Sequence, residues 1–244
     1  CIGLIAFFAV GKGIETLARG TEFVTPIAIF VVVFLLILTV KYMNIENMFP
    51  IFSNDFKFII NESLSAIAFP FAETVLFISV FCSSENKKNV KANYLIALFA
   101  AGAVLISLVL GNILVLGFPL VKDLYFPSYE TAGVIDIGEL VSRIEVLVSG
   151  NFIIFGLTKV SICLYVACRG VAKLFHTKNF TAISAVAAVL MVAVSQMLYE
   201  NTMQMFALIK IYKYYAPFFE IALPLTVEIG LLRKAKGTRT NEGA

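Results

Sequence analysis

Few side chains in this chain could do chemistry in an apolar setting, and Glu73 is singled out by its neighbours. It closes the string Ala68-Phe69-Pro70-Phe71-Ala72-Glu73 inside the apolar run from Ser63 to Phe81. A carboxylate at the centre of a bilayer costs about 2.5–3.5 kcal/mol unless protein or a polar cavity answers it. Pro70 removes a backbone donor and obstructs the carbonyl four residues earlier. Backbone groups freed in this way persist at membrane depth only against protein or a wet cavity. The pair points to a broken helix whose loose backbone ends and carboxylate line a small-molecule site. A proline-kinked helix with Glu73 in a structural hydrogen bond is the plainer reading, and the residues alone leave both open.

Lys159 is a further charge set within an apolar run. Ser149, Phe152, Gly156, Lys159, Cys163, Ala167 and Gly170 recur at steps of three and four, a stripe of mostly small residues on one helix face. The stripe is expected to face the interior of a helix bundle, with Lys159 at its middle. The alternative for Lys159 is snorkelling to a surface. Other chemistries lack the residues. The four cysteines Cys1, Cys82, Cys163 and Cys168 show no C-x-x-C spacing and His176 is the single histidine, which supports neither a zinc site nor a disulfide framework. No nucleophile, base and orienting group occur together, so neither an enzyme nor a cofactor is expected.

The elements that must position these residues follow from composition. The chain is 60% hydrophobic and 14% charged, with a mean hydropathy of +0.92, the balance of an all-α integral membrane protein rather than a soluble domain. Its small net charge of +3 collects at the ends of apolar runs and gives no reason to invoke nucleic acid. We expect a single transmembrane domain over 1–244 with spans near 1–18, 26–42, 60–82, 92–117, 139–175, 180–198 and 217–233. The first continues past Glu15 and Arg19, an i, i+4 pair in the favourable order. The connection from Phe118 to Glu139 is net acidic and reads as a partly helical cap, and Asn112 is expected to pair across helices. Tyr199 to Ala216 reads as a loop whose Tyr212, Tyr214 and Tyr215 suit an interfacial aromatic belt. Glu220 and Glu228 are expected near opposite ends of the last span, in solvated or interface roles. The chain opens at Cys1 inside a hydrophobic run, which reads as a fragment lacking its N-terminal part.

Basic residues beside span ends set the orientation. Lys87, Lys88 and Lys91, then Arg169, Lys173 and Lys178, then Arg233, Lys234, Lys236 and Arg239 fall on one side if the spans alternate, and that side, with the C-terminus, is cytoplasmic. Lys210 and Lys213 fall outside, against the rule.

Several strings carry a family resemblance. Lys12-Gly13-Ile14-Glu15 with Ala18-Arg19, Phe69-Pro70-Phe71-Ala72-Glu73, Pro127-Ser128-Tyr129-Glu130, Arg143-Ile144-Glu145 with Lys159 downstream, and Leu231-Leu232-Arg233-Lys234 together resemble the B subunit of bacterial spore germinant receptors. That spore permease family belongs to the amino acid/polyamine/organocation superfamily. The resemblance implies a leucine-transporter-like bundle of two inverted repeats, with this chain as spans four to ten of ten and Ser63 to Phe81 as the broken sixth. Ala72 stands where the family often has glycine. In that fold a ligand binds near the midplane between unwound spans. Carried onto this chain, the site is Ser65, Ala68, Phe69, Phe71, Ala72 and Glu73, with Phe152 and Gly156 contributed by the eighth span. Lys159 stands in for the sodium of sodium-coupled relatives, alone or paired with Glu73, and no metal is expected. The resemblance implies a germinant-sensing subunit of the spore inner membrane, working with A- and C-type receptor subunits and binding an amino acid or similar small molecule. The alternative is a proton-coupled amino acid permease, which needs the same pocket.

Overall fold

In lipid every backbone donor must find its acceptor inside the segment, so apolar runs of 20 to 30 residues fold as helices. A computed structural model of the chain follows that rule: all regular structure among the described residues is helical. The structure describes residues 2–50, 55–77, 81, 89–136, 143–177 and 179–227. Cys1, Cys82, Lys87, Lys88, Glu139, Lys178, Glu228, Arg233, Lys234, Lys236 and Arg239 lie outside the described residues. The segments Ile14–Tyr42, Phe56–Leu76, Val90–Leu116, Glu145–Leu174 and Phe180–Leu198 are each long and apolar enough to cross a membrane. The protein is an all-α, multi-pass membrane protein.

The chain divides into two compact units, residues 1–53 with 85–192 and residues 54–84 with 193–244. The first holds α1 (Ile2–Gly11), α2 (Ile14–Thr39), α4 (Val90–Leu116), the short α5 (Phe118–Val121) and α6 (Pro127–Gly133), α7 (Glu145–Leu174) and most of α8 (Phe180–Leu198). The second holds α3 (Phe56–Ala66) and α9 (Thr202–Pro217), each running into irregular helical turns.

In the first unit α7 packs against α1, α2 and α6. Its contacts are small: Ala6, Val10, Ser161, Cys168, Ser184 and Ala188 are buried, as expected where lipid gives no hydrophobic drive and close backbone approach must supply the attraction. Gly3 shows how tight this is, since a β-carbon there would lie 2.7 Å from Val192 Cγ2 on α8. The buried positions of α7 are Val148, Asn151, Ser161, Leu164, Tyr165 and Cys168, a different face from the stripe Ser149 to Gly170. α1, α2 and α6 pack on the buried face, and the stripe residues are half-buried or exposed. Side-chain bonds close the irregular stretches. Tyr42 Oη both donates to the Asp136 carbonyl, 3.0 Å, and accepts from its amide, 3.1 Å. Asn47 Nδ2 and the Asn44 amide answer the Leu114 carbonyl at the end of α4, at 2.8 and 2.9 Å, one of the acceptors a helix terminus leaves over.

Two sequence expectations change. The first helix ends at Gly11, and Gly13, at φ +93°, turns the chain before α2. A left-handed residue suits glycine, so the Glu15–Arg19 pair, 2.7 Å apart, opens α2 rather than extending α1. The segment read as a loop, Tyr199 to Ala216, is mostly α9. Asn201 caps it by accepting from the Gln204 amide at 2.9 Å, while Gln204 Oε1 accepts from the Glu200 amide at 2.9 Å. This reciprocal arrangement is a helix start signal. Tyr212, Tyr214 and Tyr215 therefore stand on a helix.

Candidate functional site

The second unit contains two interrupted helices, and each interruption follows from a proline. At the end of α3 the chain passes through a wide π-type turn, Ile67–Phe71, and then a tight 3-10 turn, Ala72–Leu76. Phe69 leaves the helical region, at φ −133° and ψ 120°. The ring of a proline disfavours helical geometry in the residue before it and removes a donor from the ladder. The Phe69–Pro70 peptide is cis. Thr74 Oγ1 donates to the Phe71 carbonyl at 2.6 Å, answering one of the acceptors in the interrupted stretch. On the partner segment α9 ends at Pro217 and a second π-type turn follows, Phe218–Ala222. Such turns concentrate at functional sites.

Both turns carry a glutamate, and the two carboxylates meet. Tyr212 Oη on α9 lies 3.3 Å from Glu73 Oε1 and makes a short hydrogen bond to Glu220 Oε1. Glu220 Oε2 is buried with no hydrogen-bond partner among the described residues. The Phe69 ring stands edge-on to Tyr212, with centroids 6.4 Å apart and an interplanar angle of 89°. A quarter-turn along α9 from Tyr212, Lys213 Nζ reaches Glu62 Oε1 on α3 at 3.2 Å, a second tie between the segments. A phenol has one proton to give and cannot donate to two carboxylates at once. Both acids therefore converge on a single donor in the second unit.

The structure places Ser65, Phe71, Ala72 and Glu73 half-buried, Ala68 at 1% exposure and Phe69 exposed on its other face. All six belong to the second unit. Phe152, Gly156 and Lys159 stand on α7 in the first unit, a turn apart from one another, and Phe152 and Lys159 are exposed there. A β-carbon on Gly156 would meet nothing within 4 Å. Phe152 meets Phe126 edge-on, 6.0 Å between centroids.

Sequence reasoning missed Tyr212 and expected a solvated or interface role for Glu220, which instead meets Tyr212 and has one carboxylate oxygen buried. The signal was present. Pro70-Phe71-Ala72-Glu73 and Pro217-Phe218-Phe219-Glu220 are the same Pro-Phe-x-Glu string, each setting an acid one turn beyond a helix break.

Comparison with known proteins gives one family. The family model described as Spore germination protein matches residues 1–205. The chain is similar to Spore germination protein KB of Bacillus subtilis (strain 168), 31% identical over 179 residues, which is 72% of this chain and 48% of that protein. The matched region thus spans about half the length of that relative. No solved structure matches the chain.

Proposed function

The chain belongs to the spore germination protein family, and from that premise we propose that it is the germinant-sensing membrane subunit of a spore germination receptor. The reading takes the germinant to be an amino acid or a similar small molecule with an ammonium group, held at the break between Ile67 and Leu76. Ser65, Ala68, Phe69, Phe71 and Ala72 are its walls, and Glu73 with Glu220 its counter-charge. The observation that carries this is the meeting of two proline-set glutamates on the Tyr212 hydroxyl. A ligand ammonium, with three charge-assisted donors, suits two carboxylates that converge in this way.

Sensing follows if the ligand binds one arrangement of the two interrupted segments more tightly than another, since only such a difference shifts an equilibrium. Helices broken at prolines have two flanking rods that can move separately. The shift would pass to A- and C-type receptor subunits in the inner membrane of the spore, with the C-terminus cytoplasmic. In this reading the helices form a leucine-transporter-like bundle, with residues 67–76 as the unwound part of its sixth span. The Glu73→Gln variant tests it: the germinant response of spores should fall sharply while the amount of protein in the membrane stays normal. An unchanged dose–response would remove this carboxylate from the site.

The same acid pair favours a second reading, a proton-coupled amino acid permease, because two carboxyls on one phenol suit proton exchange. Uptake of radiolabelled amino acid into proteoliposomes separates the two. Sustained accumulation counts against a pure sensor.

A further inference from the structure

A second site, unrelated to the acid cluster, lies in the first unit. Residues of α2, α4, α6 and α7, with Ile135 beyond α6, line a partly open cavity of about 130 Å³. Most of its wall is aliphatic or aromatic, and no lining residue carries a charge. Yet polar side chains are set into it: Asn112, Ser128, Thr131 and Asn151. Asn112 is 8% exposed, Thr131 4% and Asn151 9%.

Their hydrogen bonds are incomplete. Asn112 Nδ2 donates to Ser128 Oγ at 3.0 Å, and Asn151 Nδ2 donates to the Ala28 carbonyl at 3.2 Å. Among the described residues nothing else bonds to either carboxamide, so whichever way each amide is turned, one end is unanswered. Thr131 Oγ1 is buried with no hydrogen-bond partner among the described residues. A threonine in a helix ordinarily gives its proton to a carbonyl three or four residues back, as Thr39, Thr158 and Thr226 do here. Thr131 does not. One rotamer step about its Cα–Cβ bond brings the hydroxyl to the position its methyl now holds, the methyl taking the place of the β-hydrogen. An unsatisfied buried hydroxyl is destabilising, and valine would fill the same space without that cost.

We propose that this cavity binds a small uncharged molecule with an apolar body and a hydroxyl or amide end, held by Thr131 together with the open ends of Asn112 and Asn151. The volume is near that of an engineered cavity of about 150 Å³ that takes benzene, so the occupant is of that size. A free amino acid is excluded as the occupant, because its two charges would be buried against a wall with no counter-charge. Bound there, the molecule joins the 127–133 cap to α2, α4 and α7. The inference does not rest on the germinant reading, which concerns the other unit.

The test is fluorine NMR titration of the detergent-solubilised protein with 4-fluorophenol, its hydroxyl-free analogue fluorobenzene, and the zwitterion 3-fluoroalanine. Saturable binding of 4-fluorophenol is expected, at least tenfold tighter than that of fluorobenzene. Thr131→Val should weaken 4-fluorophenol at least tenfold and leave fluorobenzene unchanged, with thermal stability kept or raised. Ala132→Leu, which fills the cavity, should abolish both. Any binding of 3-fluoroalanine should be the same in both variants, since it reads the acid cluster separately. Linear, non-saturable partitioning of 4-fluorophenol would overturn the proposal, leaving water as the only occupant. Equal affinity for fluorobenzene, full binding by Thr131→Val, or competition by 3-fluoroalanine would each overturn it too.

Discussion

Replacing Glu220 by glutamine isolates one charge at the acid cluster with little change of shape. The carboxamide oxygen still accepts from Tyr212, so the hydroxyl keeps a partner and the π-type turn at Phe218–Ala222 keeps its tie to the Glu73 segment. What changes is the field. Both carboxylates touch one phenolic oxygen, which sets their near oxygens no more than two hydrogen-bond lengths, about 6 Å, apart. At that distance and an effective dielectric of about 20, each unit charge contributes roughly 3 kcal/mol to a cation placed against the other. Desolvation of the ammonium offsets part of this. The measured worth of a hydrogen bond to a charged group, about 1.5–3 kcal/mol, is the better guide. The half-maximal germinant concentration should therefore rise roughly 10- to 150-fold. The assay is the germinant dose–response of spores carrying Glu220→Gln, normalised to the amount of protein in the membrane. The maximal response should be kept at saturating germinant, because the loss is in binding. A half-maximal concentration within twofold of the wild type would refute the reasoning and return Glu220 to a structural role.

Four further outcomes are expected. Pro70→Ala restores a donor and frees Phe69 to adopt helical angles, so amide exchange at 71–73 should slow while the germinant response falls; unchanged exchange would place the cause of the break elsewhere. Gly3→Val drives side-chain atoms into Val192, 2.7 Å from the first added carbon, and should lower thermal stability in detergent by about 1–3 kcal/mol. Asn151→Leu removes the bond to the Ala28 carbonyl; interhelical bonds of this kind in membranes contribute about 0.6 kcal/mol and at most about 1.7, so a small drop in melting temperature is expected. Glu62→Gln breaks the contact with Lys213, but the Glu62 side chain is 49% exposed, and a change above about 1 kcal/mol would contradict the usual weakness of such pairs.

Much of this protein could be read from its residues. Apolar runs gave the membrane class and the positions of Val90–Leu116 and Phe180–Leu198, because a backbone in lipid has few solutions and the helix is one that a single segment can satisfy alone. Pro70 located a break for an equally local reason: a missing donor and a steric limit on Phe69 act within the segment that contains them. Ends fared worse where competing local signals existed. The span expected near 26–42 begins at Ile14 instead, with Pro26 inside α2, while Gly13 makes the turn. Lysines and tyrosines hid α9, although its Asn201–Gln204 cap was in plain view.

What only the tertiary structure decided is which distant residues share a place. Glu73 and Tyr212 are 139 residues apart in the chain, and no periodicity links them. The packing of α9 on the interrupted segment brings them together and draws Glu220 in. The orphaned Thr131 hydroxyl likewise appears only when α6 is laid against α2, α4 and α7, since a hydroxyl's partner is a matter of geometry that composition does not encode. Local sterics and the demand for paired backbone groups are written residue by residue; the meeting of side chains depends on the sum of all helix contacts.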